Sequence, residues 1–158
     1  MKISFKAMGE KEFREFVHGS IQRSSVHLKE ARGQLNQEAL KEAEGHIRRI
    51  LPKGQETPSH FLFSLLENAT QKKVGSIWYG VIQEGAEWQG YLYEIFIEEP
   101  FRSKGYASDA LRMMEGELKK IGIKKIGLHL FSDNIKALQL YRQLGYREKV
   151  LTLFKELT

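Results

Sequence analysis

The sequence predicts a mixed α/β domain in which helices pack on one mostly antiparallel sheet. The hydrophobic pattern changes from strand period to helix period and back several times along the chain. The 158 residues are enough for one packed core but not for two independent ones. No internal repeat and no Pro/Ser-rich linker divides the sequence. We therefore expect a single domain over residues 1–158.

The first third predicts a strand followed by two helices. Residues 2–7 alternate polar and apolar side chains, which is typical of a strand. A helix follows that Gly33 ends, and a second helix is expected over residues 36–51 with Asn36 as its N-cap. The apolar side chains that give the first helix its spacing are Phe13, Phe16, Val17 and Ile21.

The middle of the chain changes to strands. Residues 60–66, 74–83 and 90–97 are rich in β-branched and aromatic side chains and are separated by short turns, which predicts an antiparallel meander. A helix over residues 106–121 then leads to a strand at 125–131. Because such crossovers are right-handed, the strands 90–97 and 125–131 should lie parallel and side by side or nearly so.

The last part of the chain predicts one more helix and one more strand. Asp133 or Asn134 can cap a helix over residues 135–144. Residues 149–157 are expected to form the last strand.

Composition and charge exclude several classes of protein. The chain has no cysteine, so disulfides, thiolate metal sites and cysteine nucleophiles are excluded. No stretch approaches the ~20 apolar residues of a membrane span, and the charged start predicts no signal peptide, so we expect a cytoplasmic protein. The net charge is +5. Residues 100–158 carry 12 basic and 6 acidic side chains, which indicates an anionic partner for this third.

Residues 97–108, which read I-E-E-P-F-R-S-K-G-Y-A-S, indicate where that anion binds. An apolar strand runs into a basic loop with one glycine, Gly105, and the loop opens directly into a helix. The first backbone N–H groups of a helix lack internal partners and favour a phosphate, whose charge Arg102 and Lys104 would neutralise. The alternative is an ordinary strand-to-helix turn with solvated cations. The loop is neither a Walker A loop nor a dinucleotide fingerprint.

Two motifs resemble the signatures of the GNAT superfamily of N-acetyltransferases. The loop R-S-K-G-Y-A at 102–107 is similar to the family's acetyl-CoA pyrophosphate loop, [RQ]-x-x-G-x-[GA]. The run N-I-K-A-L-Q-L-Y-R-Q-L-G-Y at 134–146 resembles its second signature. Residues 51–60 and beyond look like an uncharacterised bacterial GNAT subgroup. The resemblance implies a mixed sheet of about seven strands with about four helices, whose fourth and fifth strands are parallel and splayed at a bulge.

The resemblance also implies a set of site residues. Acetyl-CoA would lie between the splayed strands, and the N–H of Ile97 or of its neighbour would polarise the thioester carbonyl. Tyr141 matches the family's general acid, although it can also simply pack with helix neighbours. Asn134 would bind the cofactor's pantetheine arm or act as a plain N-cap. The implied cofactor-binding residues are Phe96, Ile97, Arg102, Ser103, Lys104, Gly105, Tyr106, Ala107, Ser108, Asn134, Ala137 and Tyr141.

Glu94 is the first candidate for the base that an amine acceptor needs. It stands in an otherwise apolar strand, where a carboxylate could point into a cleft; alternatively it lies on a partly exposed face or pairs with a lysine, and water could serve as the base. His60 and His129 alternate with apolar neighbours and are interpreted as structural. No group of potential ligands shows metal-binding spacing, so no metal is expected.

We therefore expect an enzyme that transfers an acetyl group from acetyl-CoA to a primary amine by direct attack. The first alternative is a catalytically idle module that only binds acyl-CoA. Nucleic-acid binding through the basic third ranks last, because the phosphate loop already accounts for the charge. The acceptor and a homodimer remain open, and no membrane partner is expected.

Overall fold

Residues 1–33 and 35–158, which this computed structural model describes, form one five-stranded sheet and four α-helices. The strands are β1 (Ile3–Ala7), β2 (His60–Glu67), β3 (Lys73–Glu84), β4 (Glu87–Ile97) and β5 (Ile126–Leu128). The helices are α1 (Glu10–Arg32), α2 (Asn36–Ile50), α3 (Tyr106–Lys120) and α4 (Ile135–Gln143). None of these helices combines the length and the apolar character that a membrane span requires.

The sheet is mixed, as the sequence predicts. Its strands follow the order β1-β2-β3-β4-β5, and every neighbouring pair is antiparallel except β4 and β5, which are parallel. The helix between these two strands is α3, so the predicted crossover is confirmed.

Three sequence predictions about the elements are wrong. The sheet has five strands, whereas the sequence pattern predicts six and the resemblance implies about seven; residues 149–157, expected as the last strand, pair with no strand among the described residues. A strand-like sequence supplies no partner for its own backbone. The strand expected at 125–131 is shorter, since β5 covers only Ile126–Leu128. The N-cap of α2 is Leu35 in extended conformation, and Asn36 is already the first helical residue.

The helices cover both faces of the sheet. Ile77 and Tyr79 on β3 pack on one side in a cluster with α3 and Tyr141 of α4. Trp78, between them in sequence, points to the other side and packs with Phe16 of α1 and with α2. The alternation along β3 therefore buries both faces, and the sheet lies between two helical layers.

Candidate functional site

The site begins at a bulge in β4. Trp78 of β3 lies opposite Glu94, but the next residue, Tyr79, lies opposite Leu92, so Tyr93 is an extra residue on β4. On its other side β4 pairs with β5 only from Gly90 to Leu92. The two parallel strands therefore part at the bulge, and among the residues that the structure describes no strand pairs with the β5 side of β4 beyond it.

Backbone groups of β4 face this opening. The N–H of Glu98 donates to Val74 O on β3 at 2.9 Å. Since successive residues of a strand direct their backbone groups to opposite edges, Ile97 directs its own toward the opening. Accordingly, Ile97 O accepts a hydrogen bond from Arg102 Nε at 2.9 Å and not from β3.

The opening forms part of a groove of about 920 Å³. Every site residue that the sequence analysis singles out lines it, with the exception of Lys104. Lys104 instead lies beside the groove, with its ammonium over the Phe101 ring at 5.6 Å and its carbonyl bound by Lys2 Nζ at 3.2 Å. The fold thus brings together residues from β4, the following loop, α3 and α4.

At one end of the groove is the N-terminus of α3. Gly105, the N-cap, adopts a left-handed conformation with φ of 84°, and a Cβ there would meet no atom within 4 Å. The first helical bond runs from Asp109 N to Gly105 O at 3.1 Å, so the preceding N–H groups of residues 106–108 have no helical partner. The Tyr106 side chain is buried and its phenol donates to Glu67, which leaves the backbone of Tyr106 for the groove.

The charged side chains along the groove are mostly basic. Among the described residues, Arg23, Arg102 and Lys136 line it against one carboxylate, Glu94. Both arginines contact the same ring, since the guanidinium carbon of Arg23 lies 4.0 Å and that of Arg102 5.4 Å from the centroid of Phe96. An anionic ligand would meet a favourable field here.

Glu94 ties β4 to α1. Its carboxylate accepts a hydrogen bond from Arg23 Nε at 2.5 Å and another from Ser20 Oγ. The side chains of Arg23 and Glu94 are 30% and 18% exposed, so the pair is partly shielded from water. A pair with a lysine is one of the expectations from the sequence, but the partner is Arg23, on a helix 71 residues earlier.

Tyr141 and Asn134 lie on the α4 side of the groove. Tyr141 is 8% exposed, and burial raises the pKa of its phenol to about 12. The Asn134 side chain accepts from Ala137 N at 3.3 Å, so it caps α4 as the alternative interpretation expected. The same asparagine lines the groove.

The two histidines interpreted as structural differ in position. His60 lies away from the groove, accepts a hydrogen bond from Trp78 Nε1 at 3.1 Å, and has a pKa lowered by burial. His129 lines the groove, and its Nδ1 shares a hydrogen bond with the Tyr91 hydroxyl.

The first two helices are expected to shape the acceptor site, but the individual α1 residues at the groove could not be named from the sequence. Arg23, Ser24 and His27 line the groove from this helix, and the His27 ring stacks on Phe131 with centroids 5.0 Å apart. The sequence shows the helical spacing of these three residues. It does not show that this face of α1 lies across β4 and the residues after β5. Only the tertiary contact to Glu94 reveals it.

One group of side chains has metal-ligand atoms close together. Potential ligand atoms of His27, Glu30 and Asp133 lie within 4.8 Å of one another. The two carboxylates are exposed, and exposed acidic groups often meet without an ion. The cluster therefore gives no support for a metal.

Comparisons with known proteins agree with this architecture. The sequence model of the acetyltransferase (GNAT) family matches residues 26–146. The chain is 31% identical over 157 residues to the uncharacterised N-acetyltransferase YycN of Bacillus subtilis, covering 99% of this chain and all of YycN. It is 24% identical to the uncharacterised N-acetyltransferase YdgE of the same organism, over 99% of both chains. The crystal structure of YycN superposes with a TM-score of 0.91, again over 99% of both chains.

Proposed function

Because the chain belongs to the acetyltransferase (GNAT) family, we propose that it transfers an acetyl group from acetyl-CoA to a primary amine by direct attack in a ternary complex. The observation that carries the proposal is the groove, which connects the parted strands β4 and β5 with the N-terminus of α3. A groove of about 920 Å³ is also large enough for an extended cofactor and the end of an acceptor.

In this proposal the loop 102–108 binds the pyrophosphate of acetyl-CoA. The N–H groups of residues 106–108 and the positive end of the α3 dipole favour an anion. Gly105 leaves the approach open because a side chain is absent there. Arg102 and Lys104 add positive charge, and residues such as Ser103, Ala107 and Ser108 supply the small walls.

The pantetheine arm would lie along the open edge of β4 as a pseudo-strand. The backbone of Ile97 faces the opening and can bond to the arm, as a peptide does when it adds to a sheet edge. The N–H of Ile97 or of its neighbour, aimed at the thioester carbonyl, would stabilise the oxyanion that forms during attack. Phe96, Asn134 and Ala137 would complete the walls around the arm.

The chemical step then involves two proton transfers. The free amine attacks the thioester carbon, a C–N bond forms, the C–S bond breaks, and the nitrogen releases a proton. Tyr141 would protonate the departing thiolate, since burial keeps its phenol protonated. A thiolate is already a tolerable leaving group, so this contribution should be modest.

Glu94 is the proposed proton acceptor for the amine, directly or through water. Its carboxylate accepts hydrogen bonds from Arg23 and Ser20. The same contacts give Glu94 a second role, which is to hold α1 against β4. Exchange of Glu94 for glutamine separates the two roles by the pH dependence of the rate, because only a base changes the profile.

Calorimetric titration with acetyl-CoA at two salt concentrations tests the proposal, with ATP as the control. We expect micromolar binding of acetyl-CoA, much weaker binding of ATP, and only a modest effect of salt. Thiol release with a panel of primary amines then distinguishes an enzyme from an idle acyl-CoA module. An absence of acetyl-CoA binding would contradict the proposal, and binding of nucleic acid that falls steeply with salt would replace it.

A further inference from the structure

The loop before α3 is held by Lys2, a residue that lies outside the groove. The ammonium of Lys2 donates a hydrogen bond to the Lys104 carbonyl at 3.2 Å. The backbone N–H of Lys2 donates to Asp109 Oδ2, in the first turn of α3, at 3.1 Å. Neither Lys2 nor these two partners lines the groove. Lys2 therefore binds the loop and the helix together from outside the site.

A second contact fixes the same end of α3. The phenol of Tyr106, the first residue of the helix, is buried and donates to Glu67 at the end of β2. Glu67 lies opposite Ile3 in the sheet, and the backbone N–H of Asn68 donates to Lys2 O at 2.8 Å. Lys2 and the end of β2 are thus joined to each other as well as to α3, and they form one support for the loop.

This support decides the direction of the Lys104–Gly105 peptide. In a trans peptide the carbonyl and the N–H point in opposite directions, and the peptides of this loop are trans. Since Lys2 binds the Lys104 carbonyl, the N–H of Gly105 points away from Lys2. Gly105 lines the groove, and among the described residues its N–H has no hydrogen-bond acceptor. The reverse direction would present the carbonyl oxygen to a bound anion and repel it.

The loop alone does not specify that direction. Gly105 has φ of 84°, but glycine adopts either sign of φ at little cost, so the peptide before it can turn over. Ser103, on the other side of Lys104, also has a positive φ, of 61°, which is uncommon for a residue with a side chain. The hydrogen bond from Lys2 supplies a preference that the loop itself lacks.

We propose that Lys2 is a positioning residue for the anion site: by holding the Lys104 carbonyl, it keeps the Gly105 N–H directed at the diphosphate of acetyl-CoA. This inference rests on the proposed function, which assigns the diphosphate to the loop 102–108. Lys2 does not touch the ligand, because it does not line the groove. Tyr106 and Asp109 keep the helix fixed to the same support, so the peptide is held relative to the first turn of α3.

The first test is calorimetric titration of the full chain and three variants with acetyl-CoA. Lys2→Met keeps most of the side-chain length but removes the ammonium, and we expect affinity to fall about threefold to tenfold. Lys2→Arg keeps a donor and should stay within about twofold of the natural chain. Lys6→Met is the matched control, because it removes an equal charge from an exposed side chain of β1 that pairs with Glu12 at 3.9 Å. Its affinity should not change.

A second test separates the direction of the peptide from the charge of Lys2. We expect Lys2→Met to lose the same factor for acetyl-CoA and for acetyl-dephospho-CoA, which keeps the diphosphate but lacks the 3′-phosphate. The loss should also persist at high salt, which screens a contribution from charge alone. S-acetylpantetheine has no diphosphate, so the natural chain and Lys2→Met should bind it equally. A merely structural role of Lys2 would weaken the binding of all three ligands alike.

The outcomes distinguish this inference from the proposed function. Equal affinity of the natural chain and Lys2→Met for acetyl-CoA would overturn the inference and leave the proposed function standing. The same holds for a loss that disappears at high salt, extends to S-acetylpantetheine, or is matched by Lys6→Met. An absence of acetyl-CoA binding by the natural chain would refute the proposed function, and the inference with it. Urea unfolding of each variant shows whether the samples compared are equally folded.

Discussion

The two halves of β4 have opposite roles in this molecule. From Gly90 to Leu92 the strand is paired on both edges, with Gly90 N donating to Lys125 O at 2.8 Å. From Glu94 to Ile97 it is paired with β3 alone, and the groove takes the place of β5. One extra residue, Tyr93, separates the halves. The site therefore forms where the pairing between β4 and β5 stops, inside a sheet whose other neighbouring strands stay paired.

Residues 94–97 of β4 are here called the open half of the strand. The largest expected effect comes from blocking the groove beside it. Gly105→Glu places a carboxylate where the pyrophosphate of acetyl-CoA would bind, and we expect affinity to fall at least about 100-fold. Calorimetry measures it. Gly122→Glu is the matched control, since Gly122 has φ of 87° and equal space but lies away from the groove. Unchanged binding by Gly105→Glu would contradict the assignment of the loop.

Adding one methyl group beside each half of β4 should show that the open half affects acetyl-CoA binding and the paired half affects stability alone. A Cβ on Gly75, opposite Ile97, would lie 2.1 Å from Phe96 O, so backbone must move. We expect Gly75→Ala to cost about 2–3 kcal/mol of stability and to weaken acetyl-CoA binding about tenfold. At Gly90 the contact is Leu118 Cδ1 at 2.6 Å, so Gly90→Ala should cost about 1–2 kcal/mol without affecting binding by the remaining folded protein.

Urea unfolding and calorimetry on the same samples provide both measurements. Gly127→Ala serves as control, because its nearest new contact is 3.6 Å away. Equal losses of affinity in the Gly75 and Gly90 variants would show that the two halves are not independent.

Removal of the Tyr141 hydroxyl tests chemistry in the open half without changing its shape. For Tyr141→Phe we expect kcat to fall about tenfold while affinity for acetyl-CoA stays the same. Because the pKa of Tyr141 is about 12, the natural enzyme should show no loss of rate from its ionisation below about pH 11. An unfolded tyrosine ionises near pH 10, so folding stability should fall between about pH 10 and 12, and less so in the variant. An unchanged kcat would mean that Tyr141 contributes to packing and not to the chemical step.

The smallest effect concerns the contact that fixes α1 over the open half. Arg23→Gln leaves the partly buried Glu94 without its cation, and we expect a loss of about 1 kcal/mol in stability. A double-mutant cycle with Glu94→Gln should recover part of this loss. The exposed pair of Arg48 with Glu44 is the comparison, and Arg48→Gln should change stability by under about 0.5 kcal/mol. Full additivity in the cycle would mean that the two side chains do not interact in solution.

Much of the fold could be predicted because its signals are local. Periodicity places the four helices and the first four strands close to their bounds, and the crossover rule orients β4 and β5; the strand expected at 125–131 is cut to Ile126–Leu128. Local signals fail where the partner is distant in sequence. The pair Arg23–Glu94 joins residues 71 positions apart, and no spacing along α1 indicates it. In the same way, the composition of residues 149–157 favours an extended strand but does not specify which strand will pair with its backbone.

The candidate site shows the same division. The glycine loop could be predicted because a basic loop with one glycine opens directly into a helix, and Gly105 adopts a left-handed conformation that is easy for glycine. Side-chain chemistry predicts a cap at Asp133 or Asn134, and the hydrogen bond to Ala137 N identifies Asn134. The wall that α1 contributes depends on how a helix crosses a sheet, which is decided by packing of the whole core.

The direction of the Ile97 backbone has a consequence for how sequences of this kind can change. If the thioester carbonyl and the diphosphate are held by main-chain N–H groups, almost any side chain is compatible with holding them. An alanine scan would then not detect these N–H groups, which hold the acetyl donor. Ile97→Pro would detect them, because it deletes one N–H. Selection is left free to vary the surrounding side chains, so acceptor preference can drift while the donor site persists.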